Sequence, residues 1–204
     1  MSALLPLFPL DLVLLPGATL PLHIFEPRYR EMIGECHAHK LPFGVVRARE
    51  NDQLADTGCS AEIVSVANQY PDGRLDIITR GMQRFEIIRV DRDRSFLQAE
   101  VLYLHDVPGS AAHDDASRAI ALHAEILALA GARPEGETTV EEGLLSFHLA
   151  SSLPIDLDFK QNLLTMNLES ERVQMLISFF ETILPNLRRA VHVRKKAGGN
   201  GHAL

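Results

Sequence analysis

The stretch Leu4–Met32, LLPLFPLDLVLLPGATLPLHIFEPRYREM, decides the fold of the first half of the chain. It contains five of the eleven prolines and two apolar runs, Leu12–Leu15 and Leu20–Phe25. Because proline fixes φ and has no N–H to donate, neither run can form the interior of a helix. The stretch therefore predicts short extended segments that bend at its prolines, including a turn at Pro16-Gly17.

The pattern becomes helical at Pro27, since proline is favoured at the first position of a helix. This predicts one helix over residues 27–39. Further along, segments that are typical of strands lie at 43–48, 59–70, 74–80, 83–90 and 96–104. In the fourth of these the apolar phase shifts between Ile87 and Ile88, which indicates either a β-bulge or a strand buried on both faces. Short strands with short connections predict an antiparallel meander that curls into a partial barrel.

After Pro108-Gly109 the apolar spacing is that of helices. One predicted helix carries a stripe, and the last helix carries a longer one that continues for about five turns. The first stripe consists of Ile120, His123, Ile126, Leu127 and Ala130, and the second of Val173, Leu176, Ile177, Phe180, Leu184, Leu187 and Val191. Pro185 is expected to kink or break the last helix, because its ring displaces the carbonyl of Glu181.

The predicted fold class is α+β, with an N-terminal β-rich pseudo-barrel followed by a C-terminal helical bundle that ends in a long helix. The predicted boundaries are 1–108 for the β-rich subdomain, with the single helix at about 27–39, and 109–193 for the helical subdomain. Residues 194–204, RKKAGGNGHAL, are expected to form a flexible basic tail.

Three segments in order carry a resemblance to a known family: Leu5–Leu10 (LPLFPL), Pro16-Gly17 and Pro21–Met32 (PLHIFEPRYREM). This pattern resembles the N-terminal, substrate-binding domain of Lon proteases, and weaker similarities at Gly58–Ile63 and Ser152–Pro154 extend it over nearly the whole chain. The resemblance implies a stand-alone copy of that domain, without the ATPase and peptidase modules. It also implies a β-barrel-like subdomain followed by a helical bundle.

The function that this resemblance implies is non-catalytic recognition of unfolded or extended polypeptide segments. By analogy alone it extends to an adaptor or regulator of proteolysis, with a protease or chaperone as partner. The alternatives are binding of a small molecule or nucleic acid by the barrel-like subdomain, and an uncharacterised hydrolase.

Composition limits these possibilities. The net charge of −7 and the presence of only four lysines make nucleic acid an unlikely partner, since that binding depends on neutralising phosphates. Two cysteines are too few for a disulfide framework, which indicates a reducing, cytoplasmic setting. No apolar run reaches the roughly 18 residues of a membrane span, and the interrupted N-terminal run is a poor signal peptide.

Residues for catalysis are not grouped in any familiar motif. A phosphate-binding loop requires a Gly-Lys pair, and the sequence has none. Ser146 with His148, and Ser117 with His123, lack the Gly-x-Ser-x-Gly elbow that positions a nucleophile. The sequence therefore predicts that the chain is not an enzyme and needs no cofactor.

The best candidates for peptide contact are Glu26, Arg28, Tyr29 and Arg30, which lie at the bend between an extended segment and the first helix. Arginine and tyrosine are enriched at binding hot spots. The structural alternative is favoured, however: Glu26 and Arg28 pair or cap the helix, and Tyr29 lies in the core.

Two further sets of candidates are weaker. Leu12 and Leu14, in the first apolar run, form either an exposed patch for unfolded segments or part of the core, and the core is the better interpretation. Cys36 and His39 share a helix face and are weak candidates for metal ligands, but no tetrahedral set accompanies them. Metal binding is therefore not predicted.

Overall fold

Six strands and five helices follow one another in the computed structural model, which describes residues 4–49, 53–132 and 143–199. The strands are β1 (Leu5–Leu10), β2 (Thr19–Ile24), β3 (Phe43–Arg47), β4 (Thr57–Gln69), β5 (Leu75–Asp91) and β6 (Gln98–Tyr103). The helices are α1 (Pro27–His39), α2 (His113–Ala130), α3 (Leu145–Ser151), α4 (Leu157–Thr165) and α5 (Glu169–Gly199). The chain divides into two units, one of residues 1–106 and 150–167, the other of 107–149 and 168–204.

The strands of the first unit form a six-stranded sheet in the order β2-β5-β4-β3-β1-β6. A further pairing joins β6 to β5, so that β5, β4, β3, β1 and β6 close into a ring, while β2 pairs with β5 outside it. The predicted α+β class and the barrel-like subdomain are thus confirmed. The meander is correct for β3 to β6 but wrong for β1, which pairs in parallel with β3 because the helix α1 carries the chain back between them.

The core of the ring lies around Phe85, whose side chain is fully buried together with Leu7 and Ala99. The Phe85 ring lies so close to the backbone of β3 and β4 that only glycine fits at the positions it contacts. A Cβ atom would lie 2.7 Å from Phe85 Cζ at Gly44 and 2.5 Å at Gly58. Any larger residue at either position would have to displace the ring, so the two glycines let β3 and β4 pack closely against it.

Helix α1 has the bounds that the sequence predicts, residues 27–39. It begins with Pro27, and its inner face buries Tyr29, Met32, Ile33 and Cys36. It ends at Lys40, whose backbone adopts the left-handed conformation with φ 53°. The Lys40 N–H caps the helix by donating to two carbonyls of its last turn, those of Cys36 and His37.

Helix α4 groups with the first unit, whereas the sequence places it in the helical subdomain that begins at residue 109. The physical reason is the buried Arg84 on β5, which donates from Nη1 to Leu164 O and Met166 O at 2.8 Å each. Gln161 adds a bond from Nε2 to Thr57 O at 2.9 Å. These strand-to-helix contacts join residues that are remote in sequence, so no local sequence pattern predicts them.

In the second unit, the stripe on α5 is buried as predicted: Val173, Leu176, Ile177, Phe180 and Leu184 are in the core, while Leu187 and Val191 are half-buried. The stripe predicted on α2 is partly wrong. Ile120 and Ala130 are exposed, and Ala119 is buried beside His123, Ile126 and Leu127. The small Ala119 side chain allows the helices to pack closely, whereas hydropathy alone predicts that the neighbouring Ile120 is the buried residue.

Helix α5 shows no break at Pro185, while a kink there stays a prediction. The helix can continue because Pro185 and Glu181 are both exposed, so that the freed carbonyl lies where water can bond it. It also extends to Gly199, so residues 194–199 are helical rather than a flexible tail. Residues 200–204 lie outside the described part of the chain. No helix in the described ranges is long and apolar enough to cross a membrane.

A buried ion pair holds α3 to α5 within the second unit. The Glu169 carboxylate accepts from the backbone N–H of Ser146 at 2.8 Å and from its hydroxyl at 2.6 Å. Arg172 Nη2 donates to the same carboxylate at 2.7 Å, and its guanidinium lies over the ring of Phe147. Glu169 thereby caps the start of α3, which the sequence leaves without a capping residue of its own.

Candidate functional site

A groove of about 670 Å³ lies within the first unit, between the C-terminal end of α1 and residues of β4, β5 and β6. Its lining comes from four segments that are far apart in the sequence. The lining residues are Cys36, His37, Lys40, Leu41, Pro42, Ser60, Glu62, Ile63, Met82, Gln83 and Tyr103. Its size is within the range of pockets that hold ligands.

Three large apolar side chains in this groove are unusually open to solvent. Leu41 is 53% exposed, Met82 45% and Tyr103 36%. Clustered exposed apolar side chains that are rimmed by polar residues mark interaction sites, whereas scattered single ones do not. The unbranched, polarisable side chain of Met82 can also adapt to apolar partners of different shape. The groove therefore has the chemistry of a site for apolar side chains.

A bulge on β5 brings Met82 to the groove. Cys59 pairs with Arg84 but Ala61 pairs with Gly81, so β5 has one extra residue at this point. The Ser60 hydroxyl stands in for the missing ladder bonds, because it donates to Gln83 O at 3.0 Å and accepts from Gln83 N–H at 3.1 Å. Bulges of this kind are frequent beside functional sites, since they redirect a side chain.

The wall of the groove is the last turn of α1 with the segment that follows it. Cys36 is only 2% exposed, and its thiol faces the carbonyl of Pro42. Burial raises the pKa of this thiol to about 11. Cys36 is thus a neutral, apolar wall residue and not an activated nucleophile at neutral pH.

The predicted contact cluster lies elsewhere on α1, and its members are held by internal contacts. Arg28 pairs with Glu26 at 2.8 Å and lies over the ring of Tyr29, which packs on Phe8 with ring centroids 4.2 Å apart. Arg30 Nη1 donates to Asp72 O at 2.6 Å. These contacts are those of the structural alternative. A peptide-binding role for Glu26, Arg28, Tyr29 and Arg30 stays a prediction.

The apolar run Leu12–Leu15 is largely part of the core, the interpretation that the sequence favours. Leu14 is only 4% exposed and packs beside Gly81, so it has no surface for a partner. Leu12 is half-buried. Of the two, only Leu12 could touch a bound peptide.

The weak metal and hydrolase candidates are not assembled into sites. Within residues 4–49, 53–132 and 143–199, no three His, Cys, Asp or Glu side chains are placed to hold a metal ion, and Cys36 is buried while His39 is exposed. Ser146 is fully buried, with its hydroxyl bonded to Glu169 and Arg172. His123 packs on Phe180, and burial lowers its pKa.

Sequence reasoning missed the residues of the groove. Leu41, Met82 and Tyr103 are single apolar residues in unremarkable local patterns, and only the fold brings them together. One local signal was present: Gly81 interrupts an alternating strand just before Met82, and a glycine inside a strand often marks a bulge.

Comparisons with known proteins agree with this fold. The family model of the ATP-dependent protease La (LON) substrate-binding domain matches residues 4–182. The chain therefore belongs to this family, as its sequence resemblance indicates.

Two solved structures share the architecture. The Lon N-terminal domain protein from Xanthomonas campestris has a TM-score of 0.70 and 27% identity, with 86% of this chain and 98% of that one covered. The N-terminal domain of a Mycobacterium avium complex Lon protease has a TM-score of 0.65 at 19% identity, with 88% and 98% covered, and shows likeness of fold alone.

Curated relatives are much longer proteins. The Lon protease of Parabacteroides distasonis is 33% identical over half of this chain, and that of Amoebophilus asiaticus is 24% identical over 82% of it. The chain spans only 13% and 22% of the lengths of these two relatives.

Proposed function

We propose that the first unit recognises extended, apolar polypeptide segments, and that the groove beside the end of α1 is where it binds them. The observation that carries this proposal is the set of exposed apolar side chains Leu41, Met82 and Tyr103 around one groove. The family's name, a substrate-binding domain of an ATP-dependent protease, supports polypeptide as the ligand. In this role the chain itself has no catalytic step and acts as an adaptor or regulator of proteolysis.

The groove suits an extended chain better than a compact small molecule. Its lining combines the end of α1 with residues of three neighbouring strands, and its apolar residues come from both walls, so alternate side chains of a strand-like peptide can reach them. A few polar groups along its rim, such as Gln83 and Glu62, can bond a peptide backbone. Both cysteines are free and buried, which fits the reducing cytoplasm that we infer for this function.

A tryptophan-containing peptide provides a direct binding test, because the chain has no tryptophan of its own. The titration follows the fluorescence of the peptide alone as the protein is added. Met82→Ser should weaken binding of an apolar peptide by roughly tenfold, as expected when a contact of about 1.4 kcal/mol is lost. Because Met82 is exposed, the unfolding midpoint of the variant should stay near that of the parent.

The matched control is Ile88→Ser, on the same strand. Ile88 is 57% exposed, similar to Met82, but does not line the groove. Its substitution should leave the affinity unchanged. Equal affinities of the parent and Met82→Ser, or equal losses in both variants, would mean that the groove is not the binding site.

We also retain the cluster at the start of α1 as a second proposed contact surface, because Arg28 is half-exposed and lies over Tyr29. The double variant Arg28→Ala with Arg30→Ala separates the roles. Weaker peptide binding at unchanged stability supports a contact surface. Lost stability with intact binding would mean that the arginines have a structural role, in which Arg30 stabilises the β4–β5 turn by its hydrogen bond to Asp72 O.

A further inference from the structure

Of the charged residues at the rim of the groove, the acidic one has an ion-pair partner and the basic one does not, within the described residues. Glu62 accepts from Arg80 Nε at 3.0 Å and from Nη2 at 2.6 Å, so its carboxylate already has a cation. Lys40 and His37 line the opposite wall, and neither forms an ion pair with any carboxylate in the described ranges. The rim thus has a cationic side chain beside an apolar surface, and within the described residues this cation has no ion-pair partner.

We propose that the groove selects polypeptide segments that carry a carboxylate next to the apolar side chains, and that Lys40, with His37, binds that carboxylate. This inference rests on the proposed peptide-binding function and names the kind of segment bound. An ammonium group attracts a carboxylate and can donate up to three hydrogen bonds to it. The carboxylate belongs either to an aspartate or glutamate side chain or to the C-terminus of the bound chain.

The backbone conformation of Lys40 provides a useful variant for the test. Among the described residues, Lys40 is the one non-glycine residue with positive φ. This left-handed position at the end of a helix is the place where glycine is usually found, because glycine has no Cβ atom to clash there. A glycine at this position would therefore remove the ammonium group without destabilising the end of the helix.

The end of α1 would itself repel an anion if its carbonyls were open, because a helix C-terminus carries partial negative charge. Here two carbonyls of the last turn already accept hydrogen bonds. Leu41 N–H donates to Cys36 O at 2.9 Å, and Lys40 N–H donates to the carbonyls of Cys36 and His37. Among the residues of this wall that line the groove, Lys40 is the one with a formal charge at neutral pH.

The test uses four peptides with the same apolar run and a single tryptophan. Three are capped at both ends and have Asp, Asn or Lys directly after the run, and the fourth has Asn and a free C-terminal carboxylate. The Asp peptide should bind roughly five times more tightly than the Asn peptide, and the Lys peptide more weakly than both, because one ion pair at a partly exposed site is worth about 1 kcal/mol. A gain for the fourth peptide but not for the Asp peptide would identify the C-terminal carboxylate as the group bound.

Variants assign the effect to Lys40. Lys40→Gln removes the charge and keeps a polar side chain, one atom shorter, at the same position, and it should abolish the preference for a carboxylate, so that the Asp and Asn peptides bind this variant equally well. Lys40→Gly should also lose the preference yet unfold at higher urea concentration than the parent. Arg92→Gln removes an exposed cation that does not line the groove and should keep the full preference.

The outcomes separate the two proposals. If all four peptides bind equally well, or if the preference survives in Lys40→Gln, the carboxylate site is wrong while peptide binding in the groove stands. If no peptide binds the parent protein, both proposals are wrong. Added salt should reduce the preference for the Asp peptide without weakening the Asn peptide, since only the ionic contact is screened.

Discussion

The Ser60 side chain and the Gln83 backbone form a reciprocal pair, in which the hydroxyl donates to Gln83 O at 3.0 Å and accepts from Gln83 N–H at 3.1 Å. This pair closes the bulge of β5 and so determines where Met82 lies. The Ser60 hydroxyl on β4 thereby fixes the register of β5 beside the groove. The proposed binding site therefore depends on how these two strands pair.

Ser60→Ala should destabilise the protein by about 1–3 kcal/mol, because it leaves two partly buried backbone groups of Gln83 without partners. It should also weaken binding of an apolar peptide, since the bulge that presents Met82 is no longer fixed. Urea unfolding and the tryptophan-peptide titration measure the two effects. Ser65→Ala, at an exposed position of the same strand, is the control and should change neither. A stable Ser60→Ala variant with normal affinity would show that the hydroxyl does not maintain the groove.

The buried Arg84 should be among the most sensitive positions of the first unit. Arg84→Met removes the bonds to Leu164 O and Met166 O and leaves Asp106 without its guanidinium partner. We expect a loss of about 3–5 kcal/mol, as for a broken buried ion pair. Hydrogen exchange should increase in α4 before the rest of the first unit. Arg89→Met removes an exposed arginine 3.8 Å from Glu100, and it should cost less than about 1 kcal/mol. Similar costs for both variants would contradict the role of Arg84.

Phe180 is fully buried on α5 and should be a core residue of the second unit. Phe180→Ala should cost about 3–5 kcal/mol, because it removes a large apolar side chain and leaves a cavity. Its neighbour Phe179 is only half-buried, so Phe179→Ala should cost clearly less. Urea unfolding monitored by the helical circular dichroism signal gives both values. Equal costs would indicate that the stripe on α5 is not the face that packs.

Cys36 should react slowly with alkylating reagents in the folded protein. Burial raises its pKa to about 11 from an ordinary 9.0, so at pH 8 the reactive thiolate is about a hundredfold rarer than in the unfolded chain. The rate should therefore rise about tenfold per pH unit up to about pH 10. Cys59, whose pKa burial raises to about 12, should react more slowly still.

Mass spectrometry of the alkylated peptides resolves the two thiols, and the unfolded chain serves as the control. Fast labelling of Cys36 near pH 7 would contradict its assignment as a neutral wall residue.

Much of the fold could be predicted because its signals are local. Proline positions indicate the extended segments before α1, Pro27 indicates the start of that helix, and the three-four spacing indicates the buried face of α5. The bulge at Ile87 is also visible in the sequence and is present as a register shift between Ile87 and Arg89. Each of these depends on neighbours within about two turns of chain.

The parts that could not be predicted depend on distant contacts. The parallel pairing of β1 with β3 and the docking of α4 through Arg84 join segments about 40 and 80 residues apart. The groove has the same origin, since Leu41, Met82 and Tyr103 meet only when β5 pairs with both β4 and β6. The sequence suggests the charged residues at the start of α1 as peptide contacts, but several of them form hydrogen bonds or ion pairs within the chain.

Photo-cross-linking tests the central claim, binding of polypeptide in the groove, most directly. The probe is the capped apolar peptide with a photoreactive phenylalanine analogue in its apolar run, and the cross-linked residues are located by mass spectrometry. We expect cross-links in the segment 36–42, at Met82 and at Tyr103, with fewer of them when the unlabelled peptide is in excess. Cross-links confined to residues 25–30, or to the second unit, would contradict the account.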